Sequence, residues 1–200
     1  MRRDLRKCEA VWSRTSEGLH GDHSRSIKDA LLYGLPVFSC QEVADKYDGV
    51  AVLESGKKTK IGNFIIQPIP VQHSCECYAY LIEHEDMGKL LFATDCNSFK
   101  YIIKDLNHIL IEANHDDSTI LNNMKYNRYT ASQFKNHMNF DDTLRTIKAN
   151  NNIYLQNIIL CHLSNSNSNG NNYIQSIKEE IGISNVFIAD NGLKVDLSKE

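Results

Sequence analysis

The stretch Gly18-Leu19-His20-Gly21-Asp22-His23, written GLHGDH, ends in three side chains that bind divalent metals well, His20, Asp22 and His23. Gly21 allows a tight turn, so these side chains can point into one cavity from a loop. Directly behind it, SRSIKDALLYGL (24–35) reads as a helix, with Ser24 as N-cap, apolar residues at Ile27, Ala30 and Leu31, and Gly34 before Pro36 as a stop. A short strand is expected at 37–39 and a short helix at 41–47.

Outward from there the chain is rich in strands. Strands are expected at 50–53, 64–69 and 78–83, and the apolar runs KLLFAT (89–94), HILIEA (108–113), LQNIILC (155–161) and NVFIA (185–189) read as buried strands. Helices are expected at 140–149 and 172–181, the second closed by Gly182. Strands first, then strands alternating with helices, indicate an α/β domain. The asparagine- and serine-rich patch SNSNSNGNN (164–172) reads as an idle polar loop, with substrate hydrogen bonds from Asn165, Asn167 and Asn169 as the alternative.

Composition narrows the function. With 200 residues, 42% hydrophobic and 24% charged, the chain suits one soluble domain, taken as 1–200. A formal net charge of −3 gives no global field to attract nucleic acid, so a phosphate substrate would depend on local groups or a metal. No apolar run is long enough to cross a bilayer, and the basic start MRRDLRKCEAVW lacks an apolar segment behind it, so a cytoplasmic protein is expected. The six cysteines, Cys8, Cys40, Cys75, Cys77, Cys96 and Cys161, are then expected to be reduced. Cys75-x-Cys77, with no second pair nearby, reads as a strand with thiols on one face rather than a metal site.

Metal-competent residues recur just past expected strand ends, where ligands of α/β sheets collect. His73 ends IPVQ, Asp95 follows KLLFAT, Asn114-His115-Asp116 follow HILIEA, and His162 follows NIILC. A dinuclear zinc site needs about six or seven nitrogen and oxygen ligands, with a carboxylate bridging metals roughly 3.5–4 Å apart.

In this order, GLHGDH, PVQHSCECYAYLIE, GKLLFATDC and IILCHLSNSNSN resemble the motifs of the metallo-β-lactamase superfamily, in its phosphodiesterase and exonuclease branch. The likeness runs over about 18–197, and IEANHD (111–116) and NHMNFDDTL (136–144) also resemble that branch. It implies a four-layer αββα sandwich and a metal-dependent hydrolase of phosphodiester bonds in DNA, RNA or a nucleotide. It further implies Zn²⁺, two ions by family pattern, with Mn²⁺ as an alternative. The implied ligands are His20, Asp22, His23, His73, Asp95 and His162. Asp22 would also accept a proton, and His115 or His137 would contact phosphate or protonate the leaving group. The alternative for the last two is support of the ligands through hydrogen bonds.

The chain departs from the pattern in two places. Gly18 replaces the first motif histidine, which leaves one metal short of a ligand, and only about seventeen residues precede the motif, so N-terminal strands would be missing from the first sheet. These departures motivate a second expectation, a non-catalytic binding module. A thioester or lactone hydrolase is a third, since dinuclear chemistry also cleaves acyl bonds.

Overall fold

A computed structural model describes residues 26–73, 76–124 and 135–199, together with the backbone of 11–12. The chain divides between Leu81 and Ile82 into two compact units.

In the first unit, β1 (Val11–Trp12), β2 (Val37–Ser39) and β3 (Val50–Val52) form a parallel sheet in that order. Two short helices, α1 (Ile27–Leu32) and α2 (Gln41–Lys46), accompany it. Ile27, Ala30, Val37, Val43 and Leu53 are buried, so the apolar spacing read from 24–35 does mark the inward face of α1. The expected cap at Ser24 lies outside the described residues. The helix as described starts after Ser26, whose side chain makes no capping bond, and ends at Tyr33 before Gly34, whose φ of 70° only glycine adopts without strain. Farther along, β4 (Thr59–Ile61) pairs antiparallel with β5 (Phe64–Pro70). Sequence reading misses β4 because TKI is short, charged and only partly covered.

Strand β6 (Tyr78–His84) runs from the first unit into the second. There the strand order continues as β7 (Gly88–Ala93), β8 (His108–Glu112), β9 (Asn157–Cys161) and β10 (Val186–Ile188). All pairings from β7 to β10 are parallel. Ile109, Ile111, Ile158 and Leu160 have no exposed surface, which is why these strands read as unbroken apolar runs instead of alternating ones. Between these strands lie, among the described residues, α3 (Asp117–Met124), α4 (Phe140–Ala149) and α5 (Gly170–Ile181). Asn139 caps α4 by accepting from the Asp142 N–H at 2.7 Å, and Asn169 caps α5 by accepting from the Asn172 N–H at 3.2 Å. Phe140 and Tyr173 stack face to face at 4.0 Å, and the Lys148–Glu180 ion pair also joins α4 to α5. Gly182 closes α5 in the left-handed conformation expected of it.

Among the described residues, Cys40, Cys77 and Cys96 are buried reduced thiols and Cys161 is half-buried. Cys8 and Cys75 lie outside the described residues. No helix among the described residues is long and apolar enough to cross a membrane.

Candidate metal centre

Three adjacent parallel strands end at one place in the second unit. Asp95 follows β7 by two residues, Glu112 is the last residue of β8, and His162 immediately follows β9. The register aligns Glu112 with Cys161, so His162 stands one residue beyond its neighbour's carboxylate. Asp95 and His162 both take positive φ, 50° and 57°. Left-handed backbone at a non-glycine residue is costly and concentrates at functional sites, and here it breaks strand direction where a side chain has to turn toward the centre.

A fourth residue arrives from outside the strands. The Asn114 N–H donates to the Met138 carbonyl and the Phe140 N–H to the His115 carbonyl, each at 2.9 Å, and His115 and Asn139 form a parallel bridge. That short pairing delivers His137 to the same point. Each of Asp95, Glu112, His137 and His162 offers one ligand atom, and these atoms all lie within 4.8 Å of one another.

Glu112 organises the group. It is fully buried, and its Oε1 accepts from His137 Nδ1 at 2.6 Å and from His162 Nδ1 at 3.0 Å, while Oε2 accepts from the Cys96 N–H at 3.1 Å. An ionised carboxylate only accepts, so both rings place their Nδ1 proton toward it and leave Nε2 available. Burial is the largest influence on the Glu112 carboxyl and would raise its pKa. Hydrogen bonds from His137 and His162, and then their charge, outweigh it, and the pKa lies below the ordinary value. Asp95 Oδ1 lies 3.4 Å from His162 Nε2 and 3.8 Å from His137 Nδ1, and the Thr94 hydroxyl donates to Asp95 Oδ2 at 3.2 Å. The two rings sit 4.9 Å apart.

Outer contacts fix these positions. Thr143 Oγ1 on α4 donates to the Glu112 carbonyl at 2.7 Å, and Asn114 Nδ2 donates to the His162 carbonyl at 2.7 Å. His115 is buried, 3.6 Å from Asp117, and does not join the four converging ligand atoms. Its burial holds its pKa below the ordinary value against the opposing pull of nearby acids.

The donor set fits a divalent cation. Asp95 and His162 offer a carboxylate oxygen and an imidazole nitrogen of the kind that zinc, manganese and iron accept, with Glu112 and His137 buried beside them. Two buried acids side by side also require positive charge nearby, which imidazolium or a metal ion supplies.

Of the residues singled out from sequence, the structure brings Asp95, His137 and His162 together. His73 is half-buried after β5 in the first unit. His20, Asp22 and His23, and Gly18 with them, lie outside the described residues. Glu112 is the member that motif reading passes over. Its signal was a lone acid in the apolar run HILIEA, because a charge at the end of a buried strand must have partners.

No protein-family model matches the chain, and no curated protein does. Solved structures do. The metallo-beta-lactamase fold protein YhfI from Bacillus subtilis is 20% identical with a TM-score of 0.66, covering 92% of this chain and 76% of its own. An isothiocyanate hydrolase from Delia radicum gut bacteria is 14% identical at 0.57, covering 90% of this chain and 74% of its own. CmlA, a diiron beta-hydroxylase from Streptomyces venezuelae, is 11% identical at 0.53, covering 84% and 41%. The parallel strands that end at Asp95, Glu112 and His162 are thus part of a known architecture: the chain has the metallo-β-lactamase fold.

Proposed function

We propose that this protein is a metal-dependent hydrolase that cleaves phosphodiester bonds in a nucleic acid or nucleotide. The observation that carries the reading is the convergence of Asp95, Glu112, His137 and His162. Hydrolysis agrees with the isothiocyanate hydrolase among the similar structures. The phosphodiester bond rests on the motif likeness in IEANHD and NHMNFDDTL. Zinc is the proposed metal, with manganese or iron as alternatives, since one similar structure is a diiron protein.

Asp95 and His162 would hold the cation, with Glu112 behind both imidazoles and His137 beside them. A bound divalent cation supplies Lewis acidity and lowers the pKa of a coordinated water toward about 7. The chain's own residues set the rest. Glu112 keeps both Nδ1 atoms protonated and aims both rings, and Asp22 remains the proposed proton acceptor. His137 is the residue proposed to contact the phosphate or to protonate the leaving oxygen. Asp22, His23, His20 and His73 remain proposed ligands of the full centre, and His115 a proposed support.

Metal content per chain and turnover of bis(p-nitrophenyl) phosphate test this. Bound metal with turnover that falls at least about 100-fold in Asp95→Ala and His162→Ala is expected. Turnover unchanged in both variants ends the proposal, and cleavage of thioesters or lactones alone replaces the substrate.

A further inference from the structure

A cavity of about 500 Å³ opens beside His162, within the range of small-molecule sites. Its walls come from the SNSNSNGNN patch and from the end of β10. His162 is the residue that the cavity and the metal-binding cluster share.

Hydrogen bonds anchor the patch. Asn167 is 2% exposed, its Oδ1 accepts from Asn123 Nδ2 at 2.6 Å, and its carbonyl accepts from the Asp116 N–H at 2.9 Å. The Ser164 N–H donates to the Asn114 carbonyl at 2.9 Å, and Ser168 Oγ donates to the Ser164 carbonyl at 2.7 Å. Packing closes the floor. A Cβ on Gly170 would stand 2.4 Å from Ile188 Cδ1, so the absence of a side chain lets Ile188 settle against the start of α5. The cavity is formed before a ligand arrives, which lowers the cost of binding.

Its chemistry selects the ligand. Asn165, Asn171 and Ser168 offer neutral amides and a hydroxyl, and Asp190 adds a carboxylate acceptor, while no lysine or arginine lies among the lining residues. A second phosphate would meet Asp190 with no lysine or arginine in the lining to offset it. Sugar hydroxyls suit a carboxylate, and the edges of a base suit amides that both donate and accept. We propose that this cavity is the subsite for one uncharged nucleoside of the substrate, its phosphate lying at the metal-binding cluster. The proposal rests on the phosphodiesterase reading above for its orientation, and on the cavity alone for its ligand.

Two measurements on the whole metal-loaded protein test it. The first compares kcat/KM for thymidine 5′-(p-nitrophenyl phosphate) with that for bis(p-nitrophenyl) phosphate. A preference of at least tenfold for the nucleoside ester is expected, falling to near unity in Asp190→Ala/Asn165→Ala. Equal turnover of both esters, or a preference that the double variant retains, overturns the subsite and leaves the hydrolase reading standing. Hydrolysis of neither ester overturns the hydrolase reading, and adenosine binding, followed through the amide resonances of Asn165, Ser168 and Gly170, then decides the subsite. Shifts there that the double variant loses support it. No shifts, or shifts abolished by equimolar inorganic phosphate, overturn it.

Discussion

Glu112 serves two imidazoles with one oxygen. Glu112→Gln keeps the volume and can still accept from Cys96, but it loses the charge that holds both Nδ1 protons. Outer hydrogen bonds to ligating histidines are worth about 10–100-fold in metal affinity or activity. Glu112→Gln should weaken metal binding by about that factor while the far-ultraviolet circular dichroism stays native, and metal titration of the folded variant checks it. Unchanged affinity would remove Glu112 from the site's design. The residue escaped motif reading because its role depends on neighbours 25 and 50 positions away, which no local pattern encodes. Asp95 and His162 were legible because each follows an apolar run that reads as a buried strand.

At the level of the element, the ends of strands and helices carry the precision. Gly88 opens β7 at φ 75°, and a Cβ there would stand against the side-chain amide of Asn107, whose Oδ1 accepts from the Lys89 N–H at 3.0 Å. Gly88→Ala should destabilise the protein by at least about 1–2 kcal/mol, the cost of the left-handed region for an L-residue, measured by urea unfolding. Asn139 caps α4 and belongs to the segment that delivers His137. Asn139→Ala should cost about 1 kcal/mol in the same assay, with metal affinity falling as well, because the cap and the delivery share one turn. Sequence reading placed α4 correctly and missed α3, whose run DSTILNNM has few apolar residues and is held in part by Asn123 reaching to Asn167.

On the scale of the molecule, His108 links distant parts of the chain. Its fully buried ring donates from Nε2 to the carbonyls of Leu197 at 2.9 Å and Met87 at 3.1 Å, and accepts at Nδ1 from Asn157 at 3.0 Å. Only the neutral ring can do both, and burial holds its pKa below 6.5. The unfolded chain therefore takes up this proton first as pH falls. Its contribution to stability is complete above about pH 6.5 and is lost as pH drops through the folded pKa. Urea unfolding should show stability declining between pH 7 and pH 5, with a shallower decline in His108→Gln. His115, shifted the same way, keeps part of the slope. A slope identical in the variant would assign the acid sensitivity elsewhere.

The sequence alone determined the strands of the second unit, because side chains buried on both faces must be apolar in unbroken runs. It also determined which polar residues stand at their ends, since those positions follow directly from where the runs stop. Only the tertiary structure decided that Glu112 binds two histidines, that a pairing of 114–115 with 138–140 delivers His137, and that a patch read as an idle loop walls a cavity. Those outcomes depend on register and on partners dozens of residues apart, where distance along the chain no longer reports distance in space.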